Sequence, residues 1–276
     1  MKIDAHQHFW IYNSTEYSWI NDSMNVLKRN FLPQDLLIEI NNASFDGTIA
    51  VQARQTINET KWLLKLADEY DFIKGVVGWV DLCSADELKK QLDGFCKSPK
   101  FVGVRHVVQD EPDLNFMLRD EFLNGLSILK DYNLTYDLLL FPKHLQVANK
   151  VVKMFPEQKF VLDHIAKPFI KNKVIDPWHE DILKLAENKN VGCKLSGMVT
   201  EADWQNWSAS DFYPYLNIIF EAFGTDRLMI GSDWPVCTLA GNYSAILNIV
   251  IDYLNDFNAI DKEKILGSNA LNFYNL

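Results

Sequence analysis

Short apolar runs alternate with longer segments of helical periodicity from one end of the chain to the other. The runs fall at 2–8, 48–53, 74–80, 101–107, 134–140, 159–164, 190–196 and 227–233. Each reads as a strand, and most are short apolar runs, as expected for strands covered on their outer side by helices. Between the runs, apolar residues return at three- and four-residue spacing. At 58–70, Trp62, Leu63, Leu66, Ala67 and Tyr70 share one helical face. Ser84-Ala-Asp-Glu87 is a capping-box signature ahead of Leu88, Leu92 and Phe95. Phe122, Leu126 and Leu129 mark a further helix; Leu145, Ala148, Val151, Val152 and Phe155 mark another, stopped by Pro156. Asp176-Pro177 reads as an N-cap followed by Pro at the first helical position, with Trp178, Ile182, Leu185 and Ala186 facing inward. The helix predicted at 211–223 stops at Gly224, and a last one follows at 242–257.

Strand then helix, eight times, predicts an α/β fold, a (β/α)8 TIM barrel. Such a barrel takes about 250 residues, so the 276 residues present point to one domain spanning 1–276. The segments 11–32 and 200–210 read as extended loops. A chain that is 48% hydrophobic and 23% charged is ordinary for a globular protein. A net charge of −10 gives no footprint for nucleic acid or an anionic membrane surface. The cysteines at 83, 96, 193 and 237 form no CxxC pair, which suits reduced thiols in a cytoplasmic protein. The N-terminal stretch begins directly on a strand, so no secretory leader is expected, and no apolar run approaches membrane-spanning length.

In a barrel of this kind the chemistry sits where the strands end. Period two puts His6 and His8 on one face of the first strand. Two imidazoles there are costly to bury unless they bind a metal or polarise an oxygen. The first and last strands of a barrel are neighbours, which brings Asp233 beside them. The other strand ends supply Gln52 and Arg54, Trp79 and Asp81, Arg105 and His106, Tyr136 and Asp137, Asp163 and His164, and Lys194 and Ser196. Plainer roles exist for each. His6 and His8 could be core histidines, His164 could bond its neighbour Asp163, and Arg105 could pair with a barrel carboxylate. His106 alternates to the face opposite Arg105 if the strand runs straight, unless a bulge re-aims it. Lys194 and Ser196 could be interior polar groups. Cys237 reads as packing, and His144 and His179 fall in charge-rich helices where exposure is expected. Trp10, Tyr12, Tyr17 and Trp19 crowd the first loop, either as packing over the barrel mouth or as rings that stack on a sugar.

The phrases DAHQHFW, GVRHVVQDEPD, LDHIAKP and RLMIGSDWPV, with the late Asn269-Ala270 and Phe273-Tyr274, resemble the amidohydrolase superfamily over nearly the whole chain. Within it they resemble the sugar-lactonase branch of L-fuconolactonase and L-rhamnonolactonase type, to which pyrone-dicarboxylate lactonases are related. The resemblance implies catalytic roles for Asp233, His164, His6 and His8, with Asp233 as the base that activates water. It also implies one divalent, zinc-like ion, weakly held or not required, with His6, His8 and Asp233 as its ligands. Metal-dependent members carry a histidine at the end of the fifth strand, where this chain reads Leu134-Thr-Tyr-Asp-Leu-Leu-Leu140. Arg105-His106 stands where dinuclear members have a lysine, so a binuclear centre is not expected.

The reading that follows is a hydrolase opening the lactone of an aldonic acid, with a small sugar lactone as its partner and no oligomeric state assigned. Asp233 takes a proton from water, and positive charge or a metal meets the developing oxyanion. Arg105, His106, Trp10, Gln52, Lys194 and Trp79 are the expected substrate-binding residues. The alternatives are a metal-dependent decarboxylase or pyrone-dicarboxylate lactonase of the same superfamily, or a barrel that binds sugar acids without turnover.

Overall fold

The computed structural model describes residues 1–276. Its eight strands are β1 (Ile3–Gln7), β2 (Gly47–Val51), β3 (Ile73–Gly78), β4 (Phe101–His106), β5 (Thr135–Leu138), β6 (Phe160–Leu162), β7 (Val191–Leu195) and β8 (Leu228–Ile230). They pair in parallel in chain order, β1 to β8. Every predicted run overlaps one strand, with β2 and β3 beginning one residue before their runs. β6 and β8 are shorter than their runs because the backbone turns left-handed just beyond them, at His164 (φ 55°) and Asp233 (φ 58°).

The sheet closes between β1 and the residues just past β8. Asp233 donates its N–H to the His6 carbonyl at 2.8 Å, and His8 donates to the Trp234 carbonyl at 2.6 Å. The seam thus places Asp233 directly beside the histidine strand. Asp4 reinforces it below. Its buried carboxylate accepts from the Ser232 N–H (2.8 Å), the Ser232 hydroxyl (2.6 Å) and the Tyr243 hydroxyl (3.0 Å).

Eight helices cover the barrel: α1 (Pro33–Ala43), α2 (Ile57–Glu69), α3 (Ala85–Phe95), α4 (Asp120–Leu129), α5 (Leu145–Met154), α6 (Trp178–Ala186), α7 (Tyr213–Phe223) and α8 (Tyr243–Tyr253). Thr56 and Asn242 cap α2 and α8 with their side chains. Ser84 precedes α3 as expected but its side chain makes no cap, because its backbone (φ −111°, ψ 88°) turns the hydroxyl away from the helix end. Pro177 occupies the cap of α6, so the helix starts one residue later than predicted. None of these helices is long and apolar enough to cross a membrane.

Two apolar cores result. The larger lies between the strands and the helices. The smaller fills the barrel itself with Ile3, Ala5, Ile49, Val51, Val77, Val102, Val161 and Met229. Ala270 and Tyr274 seal it from the end opposite the strand termini that carry the histidines. The Tyr274 hydroxyl reaches into the barrel and donates to Asp137 at 2.8 Å.

Candidate active site

A cavity of about 700 Å3 opens at the C-terminal ends of the strands. His8, Arg105, His164 and Asp233 line it, with Glu16, Trp19, Arg54, Lys167, Glu201 and Trp204 among the surrounding side chains. His6 lies just beneath, fully buried.

Backbone shape aims these groups. Asp233 sits in the left-handed region, and so do the consecutive residues His164, Ile165, Ala166 and Lys167, with φ between 50° and 60°. Such a run in non-glycine residues is strained, most of all at the β-branched Ile165. It swings His164 away from its neighbour Asp163 and over the site. There the His164 Nδ1 meets the Ser196 hydroxyl at 2.9 Å. Gly197 makes room for the ring: its φ is +60°, and a Cβ there would stand 2.3 Å from His164 Nδ1.

Four nitrogens and one carboxylate converge. His8 donates Nδ1–H to the Val51 carbonyl at 2.7 Å, which leaves the lone pair of its Nε2 pointing into the site. His6 turns Nδ1 to Asp163 Oδ1, 3.2 Å away, so its Nε2 also presents a lone pair. The two Nε2 atoms stand 3.2 Å apart. Asp233 Oδ1 lies 3.3 Å from His8 Nε2, 3.8 Å from His6 Nε2 and 3.9 Å from His164 Nε2. Arg105 Nη1 approaches His6 Nε2 at 3.3 Å.

The electrostatics follow from burial and charge. Burial holds His6 well below the usual imidazole range and brings His164 down to about 4, so both are neutral near pH 7. Burial pushes the Asp233 carboxyl up, but His164, His8 and His6 outweigh it and hold it below the ordinary carboxylate value. An ionised carboxylate among inward lone pairs is a set of donors for a single cation. Tetrahedral zinc with bonds of about 2.0–2.1 Å separates its ligand atoms by roughly 3.3 Å, close to the spacing of His6, His8 and Asp233. Those three form one of two groups of potential metal ligands; the other is His6, Asp163 and His164.

A second layer holds the first. Asp163 receives Arg105 Nη1 at 2.9 Å and lies 3.0 Å from Lys194 Nζ. Burial raises its carboxyl, but Lys194, His6 and Arg105 bring it well below its ordinary value. Lys194 also donates to Asp137 at 2.6 Å. β5 carries no ligand histidine; its Asp137 makes a buried ion pair with β7. The Asp163 group already faces two protein cations, which leaves His6, His8 and Asp233 as the set suited to an ion.

The expected substrate-binding residues divide. Arg105 faces the cavity, and of the adjacent pair it is the one that does. His106 alternates outward, stacks on Phe116 at 4.7 Å and bonds Glu111. Trp10 is fully buried in the helix-side core, donating its indole N–H to the Arg29 carbonyl. The cavity ring from the first loop is instead Trp19, 38% exposed. Gln52 and Lys194 are fully buried outside the cavity wall, Gln52 with its carbonyl bound by Arg105 and Lys194 beneath His6. Trp79 does not line the cavity either; its backbone is held by the Thr60 hydroxyl. His144, expected exposed, is buried and accepts from the Phe141 N–H. Sequence reasoning assigns Asp163 and Glu201 no role. The only sequence signal for Asp163 was its place at a strand end, and Glu201 fell in a segment read as loop.

Comparison with known proteins bears on this arrangement. The amidohydrolase family profile matches residues 3–276. The chain is 36% identical to an L-fucono-1,5-lactonase of Burkholderia multivorans, over 100% of this chain and 96% of that protein. It is 34% identical, with the same coverage, to an L-fucono-1,5-lactonase of Burkholderia ambifaria. A crystal structure of an amidohydrolase from Burkholderia multivorans with bound zinc superposes with a TM-score of 0.96 at 36% identity, covering 100% of this chain and 99% of that one.

Proposed function

Because this chain belongs to the amidohydrolase family, we propose that it hydrolyses the lactone of an aldonic acid, of the L-fucono-1,5-lactone type. The observation that carries the reading is Asp233 on the cavity floor, ionised and ringed by His6, His8 and His164. The similarity to lactonases over the whole chain supports it.

Asp233 takes a proton from water as that water attacks the ring carbonyl. The tetrahedral intermediate places negative charge on the former carbonyl oxygen, and Arg105 is the fixed cation at hand to stabilise it. Its guanidinium is held by Asp163 and the Gln52 carbonyl, so it needs no reorganisation. His164, held by Ser196, keeps a neutral ring over the carboxylate. The ring oxygen leaves as an alkoxide and takes up a proton from Asp233 or water. The donor set of His6, His8 and Asp233 fits one divalent ion. When bound, such an ion supplies Lewis acidity to the carbonyl and lowers the proton affinity of water.

The cations around the cavity favour a neutral substrate over a dicarboxylated pyrone. Arg54 is committed to Glu16 at 2.6 Å, Arg105 to Asp163 at 2.9 Å, and Lys194 is buried out of reach, which leaves Lys167 as the one cavity-lining lysine or arginine without a carboxylate within 4 Å, against the two carboxylates of the pyrone. A turnover assay on a panel of aldonolactones and 2-pyrone-4,6-dicarboxylate tests the proposal. Sugar lactones are expected to turn over faster; faster hydrolysis of the pyrone would overturn the sugar assignment, and no turnover of either would overturn the lactonase reading.

A further inference from the structure

Glu201 ends the short turn Met198–Glu201 that follows β7, and its side chain lines the cavity shared with Asp233 and Arg105. It is largely withdrawn from solvent. The other withdrawn carboxylates at this mouth are satisfied: Glu111 by His106 at 2.7 Å and Asp233 by its histidines, while the more exposed Glu16 pairs with Arg54. Glu201 has no cation within 4 Å, and its one hydrogen bond is a long one, 3.4 Å, from the hydroxyl of Thr200. A carboxylate offers about four acceptor sites. Thr200 reaches one of them, and the others are open to the cavity, where an O–H donor of a bound molecule can take the place of water. Burial raises the carboxyl above its ordinary value, and Lys167, on the same wall, is the positive charge that opposes the rise.

We infer that Glu201 is a specificity-determining acceptor that binds one hydroxyl group of the substrate. This rests on the lactonase reading and deepens it. A carboxylate here rewards a neutral polyhydroxy lactone, which brings O–H donors, and repels a substrate carrying a carboxylate at the same place. A charged acceptor for one hydroxyl is worth about ten- to a hundredfold in kcat/KM.

The test crosses the protein with the substrate. Aldono-1,5-lactones that each lack one hydroxyl are assayed with the wild type, Glu201→Gln and Glu201→Leu, and the melting temperature of each protein is measured. For one hydroxyl, its removal is expected to lower wild-type kcat/KM about ten- to a hundredfold. Removing that same hydroxyl should cost Glu201→Leu less than about twofold, while the other hydroxyls keep their factors. Should the Leu variant not fold, the isosteric Gln variant gives the same comparison with a smaller difference. If every hydroxyl costs wild type and variant the same, the assignment fails while the lactonase reading stands. A fall in kcat without coupling to any hydroxyl also overturns it. If the wild type opens no lactone, both fail together.

Discussion

Lys194 Nζ bridges Asp137 and Asp163 inside the barrel, 2.6 Å from the one and 3.0 Å from the other, with no exposure to solvent. One ammonium thus neutralises two strands' carboxylates and indirectly fixes Arg105 and His6, which both lean on Asp163. Lys194→Met leaves two buried carboxylates short of a cation. It is expected to destabilise the fold by about 3–5 kcal/mol, read as a lowered midpoint in urea unfolding. A loss of activity with unchanged stability would instead assign Lys194 to the substrate.

Asp233→Asn should keep the barrel closed, because the seam uses the backbone of this residue and not its side chain. Turnover is expected to fall by at least about two orders of magnitude, the scale of a general base. Steady-state kinetics on the best lactone decide this, and near-normal kcat would remove Asp233 from the chemistry.

Trp10 and Trp19 should separate cleanly. Trp10 fills the core, so Trp10→Ala is expected to cost about 3–5 kcal/mol of stability. Trp19 borders the cavity, so Trp19→Ala should raise KM, by an affinity loss on the order of 1–3 kcal/mol if the ring covers the substrate, with little change in melting temperature. The reverse pattern would restore Trp10 as the ring over the site.

Glu59 supplies a pH dependence away from the catalytic cluster. Its buried side chain accepts the N–H groups of Ala53 and Arg54 at 3.1 and 2.7 Å, and burial raises its carboxyl to about 7. The folded state therefore prefers the protonated form. Its contribution to stability is complete below the unfolded value of 4.5 and is lost as pH rises through about 7. Comparing melting temperatures of wild type and Glu59→Gln from about pH 5 to pH 8, the wild type should lose ground steadily to the variant. A constant difference would mean that Glu59 does not titrate in this range.

Metal content should not exceed one equivalent. Asp163 already faces Lys194 and Arg105, which leaves His6, His8 and Asp233 for an ion. Elemental analysis of protein dialysed without chelator checks this. Two tightly bound equivalents would show that the Asp163 group takes an ion despite its cations.

The barrel was legible because most strands read as short apolar runs and each helix repeats its apolar positions. The position of Asp233 beside His6 and His8 then followed from closure alone. Individual roles around the mouth were less legible, for identifiable reasons. Trp10 and Trp19 lie in a loop without periodicity, so nothing in the sequence says which ring turns inward. Lys194 stands at a strand end but points down the barrel, drawn by Asp137, a partner distant in sequence. The left-handed turn at 164–167 runs against the preferences of Ile165 and Ala166, and only the surrounding packing enforces it. Glu201 belongs to a segment whose pattern announces no structure at all.

The seam between β1 and β8 has a further consequence. The amide of Asp233 and that of His8 are the staples that shut the barrel, and the same two residues line the cavity. Breathing of the cylinder and disassembly of the active site are therefore a single motion. Hydrogen–deuterium exchange at these amides acts as a gauge of how often the enzyme is momentarily without a site. A molecule that settles in the cavity binds only the shut form, so it should slow exchange at Asp233 and His8 in proportion to its occupancy. That makes two backbone protons a reporter for ligand discovery that needs no turnover.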